Sequence, residues 1–181
     1  MQEMNRVIGA VLRRLRRERG WSLDTCAAST GVSKAMLGQI ERGESSPTVA
    51  TLWRIASGME VPFSTFWDEG SLVERRDRVV DDETLMNATL LEPYDAATGI
   101  ELLLVELAPG CERVSQPHRR GVSEYVAVVE GRLEILVEEH WHALEVGQSL
   151  RFCADRPHGY RNLSDRRASF HNIIHHPRAE G

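Results

Sequence analysis

Three side chains in the second half of the chain have the chemistry to bind a metal ion together. They are His118, Glu124 and His158. Two imidazoles and one carboxylate suit Zn²⁺ or another divalent first-row metal, and they leave a coordination position for water or a ligand. The alternative is that these polar groups line a ligand pocket that holds no metal.

A second group, from Gly31 to Gly43, is typical of a helix that lies against DNA. Gly31 permits the positive φ of a tight turn, Ser33 is a good N-cap, and Gly43 is a good residue to end the helix. The buried face is predicted to be Met36, Leu37 and Ile40. The outward positions are then Ser33, Lys34, Ala35, Gly38 and Gln39. Because these residues are mostly small or hydrogen-bonding, the helix could enter a major groove.

The distribution of charge supports nucleic-acid binding by the N-terminal part alone. The whole chain has 181 residues and a formal net charge of −5, which argues against a nucleic-acid binder. Residues 1–67, however, carry nine Lys and Arg against six Asp and Glu, a net charge of +3. The remaining residues carry −8 and all seven histidines. Two compositions on one chain predict two domains with different tasks.

The sequence predicts a cytoplasmic protein without a membrane partner. No apolar run approaches the roughly 20 residues of a membrane helix, and the first residues lack the apolar core of a signal peptide. The three cysteines, Cys26, Cys111 and Cys153, are widely spaced and odd in number. They therefore form neither a disulfide framework nor a CxxC metal site.

Five short helices are predicted over residues 1–67 from apolar residues at helical spacing and from capping residues. The signals are a stripe over Asn5–Arg19, a second helix over Leu23–Ser29, the helix described above, a Thr48 cap before a fourth, and Pro62 at the start of a fifth. The first helix also carries a row of arginines, of which Arg13 and Arg17 are candidates for phosphate contacts. The alternative for such a row is a solvated charged face.

After residue 82 the apolar period changes to two, which predicts strands. Residues 68–82 are predicted to hold a linker, Asp68–Ser71, and the start of the first strand near Val79. The later strands are Met86–Leu91, Ile100–Leu107, Ser123–Glu130, Arg132–Val137, Trp141–Leu144, Ser149–Phe152, Gly159–Asn162 and Ala168–His175. Many short antiparallel strands separated by turn residues predict a sandwich or barrel over residues 83–181.

The N-terminal pattern resembles the helix-turn-helix of the lambda-repressor/Cro/XRE family over roughly residues 7–67. The resemblance rests on Val32-Ser33-Lys34, Ile40-Glu41-Arg42-Gly43-Glu44 and Pro47-Thr48. It implies a DNA-binding domain whose contacts come from Ser33, Lys34, Ala35 and Gln39, with Arg42, Arg13 and Arg17 as further candidates. Many members carry Gln near the start of helix two, where this chain has Asp24. Because Asp24 cannot donate to a phosphate, we interpret it as a favourable charge at a helix N terminus.

The second half resembles the cupin superfamily over roughly residues 100–176. The two motifs are Gly110-x5-Gln116-Pro117-His118-x5-Glu124-x6-Gly131 and Gly147…Pro157-His158-x3-Asn162. The resemblance implies a jelly-roll β-barrel in which His118 and Glu124 come from one strand pair and His158 from a facing strand, holding a divalent metal such as zinc. This chain has Gln116 where the pattern has a histidine, so the resemblance implies that Gln116 is a candidate fourth and weaker ligand. Its His118-to-Glu124 loop is also one residue longer. Both departures make redox iron chemistry less favoured.

The combination implies a multidomain α + β protein: a five-helix lambda-repressor-like domain, then a cupin jelly roll. It resembles known regulators of this architecture, and strings such as Arg-Pro-His-Gly-Tyr are similar to a branch linked to sulfur-compound utilisation. The resemblance implies a homodimer that binds operator DNA and senses a small-molecule effector, such as a sulfur-containing amino acid. Tyr125, Arg151 and Tyr160 are candidate pocket residues, and an arginine suits a carboxylate ligand. Strand register decides which of them faces inward.

The competing interpretation is a metal-dependent cupin enzyme, a dioxygenase or isomerase, with an attached DNA-binding domain. Two histidines and a carboxylate resemble a facial triad with open positions. The sequence supplies no convincing second acid or base for such a reaction, so regulation without catalysis is the favoured prediction.

Overall fold

The structure, a computed structural model, describes residues 2–66, 78–81 and 85–177, with side chains for residues 4–66 and 85–177. The chain divides into two compact units, Met1–Arg75 and Arg76–Gly181. The predicted linker, Asp68–Ser71, lies outside the described residues. In the described part of the chain, no helix has the length and apolar character needed to cross a membrane.

The N-terminal unit contains four α-helices and one short 3₁₀ helix among its described residues. They are α1 (Gln2–Glu18), α2 (Leu23–Thr30), α3 (Lys34–Glu41), α4 (Val49–Gly58) and the 3₁₀ helix (Phe63–Phe66). The predicted fifth α-helix is therefore wrong in type, since it makes only one turn, with the Thr65 amide donating to the Pro62 carbonyl. A 3₁₀ turn places residues three apart on one side, and so buries both Phe63 and Phe66.

The predicted caps of the helices are confirmed. The hydroxyls of Ser33 and Thr48 each accept a hydrogen bond from the backbone N–H three residues later, which starts α3 and α4. Gly31 (φ +66°) and Gly43 (φ +68°) adopt the left-handed conformation on either side of α3. A side chain at these two positions would be strained, so the glycines fix where the turn and the helix end lie.

The face that α3 buries differs from the predicted one. Leu37 and Ile40 are fully buried as predicted, but Met36 is 37% exposed and Gly38 is buried. Close contact with α1 causes this rotation, because a Cβ on Gly9 would stand 2.2 Å from the Ile40 carbonyl oxygen. Gly38 in turn lies beside α2. Met36 therefore joins the exposed positions, and Gly38 leaves them.

An ion pair joins α1 to α3 at the edge of this contact. The Arg16 guanidinium donates from Nε and Nη2 to the two Glu41 carboxylate oxygens, at 2.6 and 2.9 Å, and from Nη1 to the Trp21 carbonyl. The two side chains are only 14% and 9% exposed. Arg16 is therefore a structural residue and not part of the exposed arginine row of α1.

The C-terminal unit is built from ten antiparallel strands in two sheets within its described residues. The strands are β1 (Arg78–Asp81), β2 (Met86–Asp95), β3 (Ile100–Leu107), β4 (Glu112–Ser115), β5 (Ser123–Glu130), β6 (Arg132–Val137), β7 (His140–Glu145), β8 (Ser149–Cys153), β9 (His158–Arg161) and β10 (Ala168–His175). One sheet has the order β1-β2-β3-β10-β5-β8 and the other β4-β9-β6-β7. All strand pairs are antiparallel.

The inner faces of the two sheets form the core of this unit. Alternate residues of the central strands, such as Leu103 and Val105 on β3 and Phe170 on β10, are almost completely buried. Tyr160 of the smaller sheet stacks on Phe170 of the larger one, with ring centroids 5.3 Å apart. Strand β9 thereby faces β10 and β5 across the core, which brings polar residues of both sheets together.

Candidate functional site

The structure brings His118, Glu124 and His158 together inside the C-terminal unit. One nitrogen of each imidazole and one carboxylate oxygen all lie within 4.8 Å of one another. His118 Nε2 is 2.8 Å and His158 Nε2 3.4 Å from Glu124 Oε1. Glu124 and His158 are 1% exposed, and the His118 side chain is 10% exposed. Two imidazole nitrogens therefore approach one oxygen of the Glu124 carboxylate in a nearly buried space, and the three side chains are candidate metal ligands.

Different elements position the three side chains. Glu124 is the second residue of β5 and points inward, while His158 is the first residue of β9 in the opposite sheet. His118 lies in the loop between β4 and β5, which the His118 amide fixes by donating to the Ala154 carbonyl. The Nδ1 atom of His158 is 2.9 Å from the Arg156 carbonyl oxygen, so Nδ1 carries a proton and Nε2 faces Glu124.

The electrostatics of the cluster keep Glu124 ionised. Burial alone raises the pKa of the Glu124 carboxyl, but the charge of His158 and the hydrogen bonds from both histidines hold it well below its usual range. Burial lowers the pKa of His158, yet the adjacent Glu124 carboxylate outweighs this and raises it. The cluster is therefore a carboxylate that accepts hydrogen bonds from imidazoles. A divalent cation bound between these groups could take the place of the imidazole protons as the source of positive charge.

Two further residues bind the other oxygen of Glu124. The Tyr160 hydroxyl and the Asn172 side-chain amide both donate to Oε2, the latter at 2.8 Å. Burial and the Glu124 carboxylate raise the pKa of Tyr160 well above its usual value, so its hydroxyl stays protonated. Tyr160 was among the predicted pocket residues, but Asn172 was missed. Its signal in the sequence is a polar residue at an inward position of β10, between Phe170 and Ile174.

The other predicted pocket residues lie elsewhere. Tyr125 follows Glu124 on β5 and therefore points to the outer face of the sheet, where it is 39% exposed. Arg151 of β8 lies over the Tyr125 ring, with its guanidinium carbon 5.4 Å from the ring centroid. Arg151 also borders a pocket of about 340 Å³ that has His158 in its lining. The pocket prediction is thus wrong for Tyr125, and Arg151 stands at a pocket rim and not in the core.

The candidate fourth ligand, Gln116, has an exposed side chain in the loop after β4. This exposure contrasts with the burial of Glu124 and His158 and argues against coordination by Gln116. The remaining donors are two imidazole nitrogens and one carboxylate oxygen. That donor set fits a divalent first-row metal with open coordination positions.

The predicted DNA-facing residues of α3 form one exposed row. Ser33, Lys34, Ala35 and Gln39 are all exposed, and Met36 extends the row. The Lys34 ammonium lies 2.8 Å from the Asp24 carboxylate of α2, and both side chains are exposed. Asp24 stands in the first turn of α2, as the sequence predicts, but it also pairs with the longest side chain of the row.

The predicted arginines stand beside α3. Arg13 and Arg17 line a cleft of about 540 Å³ together with Arg42, which ends α3, and Arg6 and Arg14. Arg42 is held by Glu44, with two hydrogen bonds of 2.7 and 2.8 Å. The cleft thus gathers guanidinium groups from α1 and from the end of α3, and Arg42 is partly neutralised by its neighbour.

The two units match two different family models. A family model described as helix-turn-helix matches residues 12–66, and one described as cupin domain matches residues 103–174. Over 180 residues the chain is 46% identical to the HTH-type transcriptional regulator SutR of Escherichia coli K12, which covers 99% of this chain and 100% of that protein.

Two solved structures are similar. A crystal structure of an HTH_3 family transcriptional regulator from Vibrio cholerae has a TM-score of 0.87 and 46% identity, and covers 98% of this chain and 99% of that chain. A Cupin_2 domain of an XRE family regulator from Enterobacter cloacae is 40% identical, with a TM-score of 0.51 over 52% of this chain and 99% of its own. The chain therefore belongs to the XRE-type helix-turn-helix transcriptional regulators that carry a cupin domain. As its full-length relatives are named transcriptional regulators, it is a DNA-binding transcriptional regulator.

Proposed function

We propose that the protein acts in the cytoplasm as a homodimer whose cupin domain binds a divalent metal and a small-molecule effector, and that the effector changes operator binding. Residues 1–67 form the DNA-binding domain, 68–82 the linker and first strand, and 83–181 the effector-binding domain. The observation that carries this proposal is the convergence of His118, Glu124 and His158 within 4.8 Å. A sensor needs such a buried polar site, and a DNA-binding head alone does not.

The metal site consists of His118 Nε2, His158 Nε2 and Glu124 Oε1, and Zn²⁺ suits this donor set best. A bound metal of this type would act as a Lewis acid that anchors an electron-rich group of the effector. The cupin fold supports the proposal, because cupin domains often bind metal and the donors here are preassembled. A sulfur-containing amino acid fits as effector, because thiolate and thioether groups are ligands that Zn²⁺ accepts.

Effector binding and operator binding are then coupled, and the coupling is reciprocal. We expect the metal-loaded protein to bind an operator, selected by the protein from random DNA, with an affinity that changes on addition of cysteine, methionine or related amino acids. The measurement is the midpoint of a gel-shift titration at fixed salt, since salt alone changes the affinity of DNA binding. If no candidate amino acid moves the midpoint, the sensor role is wrong.

The exposed residues of α3 include one candidate for a phosphate contact, Lys34, and one candidate for a base contact, Gln39. Two substitutions distinguish these roles. Lys34→Ala is expected to weaken binding to all DNA sequences alike and to reduce the salt dependence if Lys34 meets a phosphate. Gln39→Ala is expected to relax preference at one base pair, at a cost of about 1–3 kcal/mol, if it meets a base edge. Binding selections with both variants measure these effects. Unchanged affinity and unchanged preference in both would contradict a DNA-reading role for the row.

Asp24→Asn provides the matched test of the Lys34 ion pair. Because this pair is exposed, its loss changes stability little, by less than about 1 kcal/mol. The substitution nevertheless removes a negative charge next to the DNA-facing row and releases Lys34. We therefore expect Asp24→Asn to strengthen binding to DNA of any sequence, in the direction opposite to Lys34→Ala.

The outer face of the larger sheet supports a homodimer. An antiparallel sheet with one solvated face normally alternates apolar and polar residues. Here the outer face of the three central strands includes an apolar row, in which Ile173 of β10 pairs with Leu102 of β3 and with Tyr125 of β5. Two copies of this face would form a self-complementary interface around a two-fold axis, as a palindromic operator requires.

Replacing Ile173 with glutamate is expected to convert the dimer to a monomer, because two carboxylates would face each other across the two-fold axis. Light scattering coupled to gel filtration measures the mass. The matched control is Val114→Glu, which places the same charge at a 61% exposed position on β4 of the other sheet. A dimer that survives Ile173→Glu would place the interface elsewhere.

A further inference from the structure

We infer that Tyr160 and Asn172 are positioning residues that restrict Glu124 to a single ligand oxygen, so that the site selects a metal of low coordination number over one that prefers chelating carboxylates. The inference rests on the proposed metal site and adds the two residues that determine its selectivity. Neither residue stands within the set of metal donors itself. Both act through Glu124.

The two oxygens of Glu124 have separate partners. Oε1 lies 2.8 Å from His118 Nε2 and 3.4 Å from His158 Nε2, so it faces the space between the two imidazoles. Oε2 accepts hydrogen bonds from the Tyr160 hydroxyl and from Asn172 Nδ2. A carboxylate can chelate a metal only if both oxygens reach it. Here Oε2 already accepts two hydrogen bonds from other side chains.

The side-chain amide of Asn172 points its nitrogen, and not its oxygen, toward the Glu124 carboxylate. The reverse orientation would place its carbonyl oxygen against the carboxylate, with two acceptors in contact. In the orientation present, Asn172 Oδ1 is buried and has no hydrogen-bond partner among the described residues. Buried polar atoms are normally paired, so an unpaired one calls for an explanation. The explanation that we infer is that the amide is placed to hold Glu124.

The fold holds both positioning residues rigidly. Tyr160 is 3% exposed on β9, and its ring stacks on Phe170. Asn172 is 2% exposed on β10, the strand hydrogen-bonded to β5, and lies opposite Val126. The donors therefore come from both sheets and meet at one oxygen. Glu124 cannot rotate toward a metal without breaking hydrogen bonds in the core.

The chemical consequence is metal selectivity. Zn²⁺ and Co²⁺ accept four donors, so that one carboxylate oxygen, two imidazoles and one water or effector atom suffice. Metals such as Mn²⁺, Mg²⁺ and Ca²⁺ prefer more oxygen ligands. Because Tyr160 and Asn172 keep Oε2 from the metal, the site disfavours the oxygen-preferring metals. It also leaves one coordination position of the metal open for the effector. The supporting shell around metal-binding carboxylates tunes affinity in this way in other proteins.

The test compares Tyr160→Phe, Asn172→Leu and the double variant with the wild-type full-length chain. Each protein is loaded with Co²⁺, whose visible absorption is intense when four-coordinate and weak at higher coordination numbers. Competition experiments then measure the affinities for Zn²⁺ and Mn²⁺. We expect a weaker Co²⁺ band, a roughly 10–100-fold loss of Zn²⁺ affinity and a smaller preference for Zn²⁺ over Mn²⁺. Tyr94→Phe, which removes the hydroxyl of a tyrosine on β2 outside the cluster, is the matched control and should behave as wild type.

The outcomes separate this inference from the proposed site. If the wild type binds metal through His158 but Tyr160→Phe and the double variant keep its Co²⁺ spectrum and its Zn²⁺-to-Mn²⁺ preference, the inference is wrong and the metal site stands. If the wild type binds neither Co²⁺ nor Zn²⁺, the metal site is wrong and the inference falls with it. Tyr160→Phe removes a single oxygen and keeps the ring stacked on Phe170, so it tests the inference even if Asn172→Leu does not fold.

Discussion

Replacing Glu41 with alanine is expected to lower the unfolding free energy of the N-terminal unit by about 3 kcal/mol and thereby to weaken operator binding. Glu41 accepts two hydrogen bonds from Arg16, and the two side chains are only 9% and 14% exposed. The substitution would leave the Arg16 guanidinium without its counter-charge at the contact of α1 and α3. A unit of this size is stable by only several kcal/mol, so the loss is a large share of its stability.

The measurement has to report on this unit alone. Hydrogen exchange of the backbone amides of α1 and α3, at increasing urea concentration, gives the free energy of opening for these helices. The matched control is Glu18→Ala, since Glu18 pairs with Arg14 on α1 with both side chains more than half exposed. That exposed pair should contribute no more than about 0.5 kcal/mol. Equal effects of the two substitutions would mean that the Arg16–Glu41 pair does not hold the helices together.

Much of the secondary structure could be predicted because its signals are local. Ser33, Thr48, Gly31 and Gly43 are residue types whose own chemistry starts or ends a helix, and the structure uses each of them as expected. The missed strand, Glu112–Ser115, lacks such a signal. Its single apolar residue, Val114, is 61% exposed, so no alternation marks the strand and only its pairing with β9 defines it.

The errors in α3 and in the pocket have a common cause. In α3, Met36 is exposed and Gly38 is buried, the reverse of the prediction. The orientation of the helix is fixed by the close contact between Gly9 and Ile40, which are 31 positions apart in the sequence. Tyr125 points outward because the register of β5 places Glu124 inward. In both cases a step of one residue changes the face, and only tertiary contacts fix that step. The Lys34–Asp24 pair was also not predicted, because only the packing of α2 against α3 brings the two side chains together.

The metal-binding candidates were found by their motifs, but the way in which Glu124 is held was not. His118, Glu124 and His158 are residue types that are seldom buried without a partner. Their spacing in the two motifs indicates that they belong together. Asn172 belongs to neither motif and is polar like many residues of exposed strands. Only the structure reveals that its amide reaches Glu124 at 2.8 Å from a neighbouring strand.

Replacing His158 with alanine is expected to lower the affinity for Zn²⁺ by more than about 100-fold, beyond what loss of a merely supporting residue produces. The reason is that His158 would supply one of the three protein donors of the proposed site, and its Nε2 lies in the buried cluster with Glu124 Oε1. Competition with a chromophoric chelator measures the affinity. His142→Ala, which removes an exposed imidazole on β7, is the matched control and should keep wild-type affinity.

The same variant separates sensing from DNA binding, because His158 belongs to a different folded unit from α3. We expect His158→Ala to bind operator DNA with the affinity of the effector-free wild type and to lose any response to the effector. Glu124→Gln, which keeps the shape of the side chain but not its charge, should give the same pair of results. A variant that lost the metal yet still responded to the effector would mean that the effector binds the cupin domain without the metal, as in the pocket interpretation of the same residues. Because both variants keep the DNA-facing row intact, loss of operator binding itself would instead indicate that the metal is needed for a DNA-binding assembly, such as the dimer.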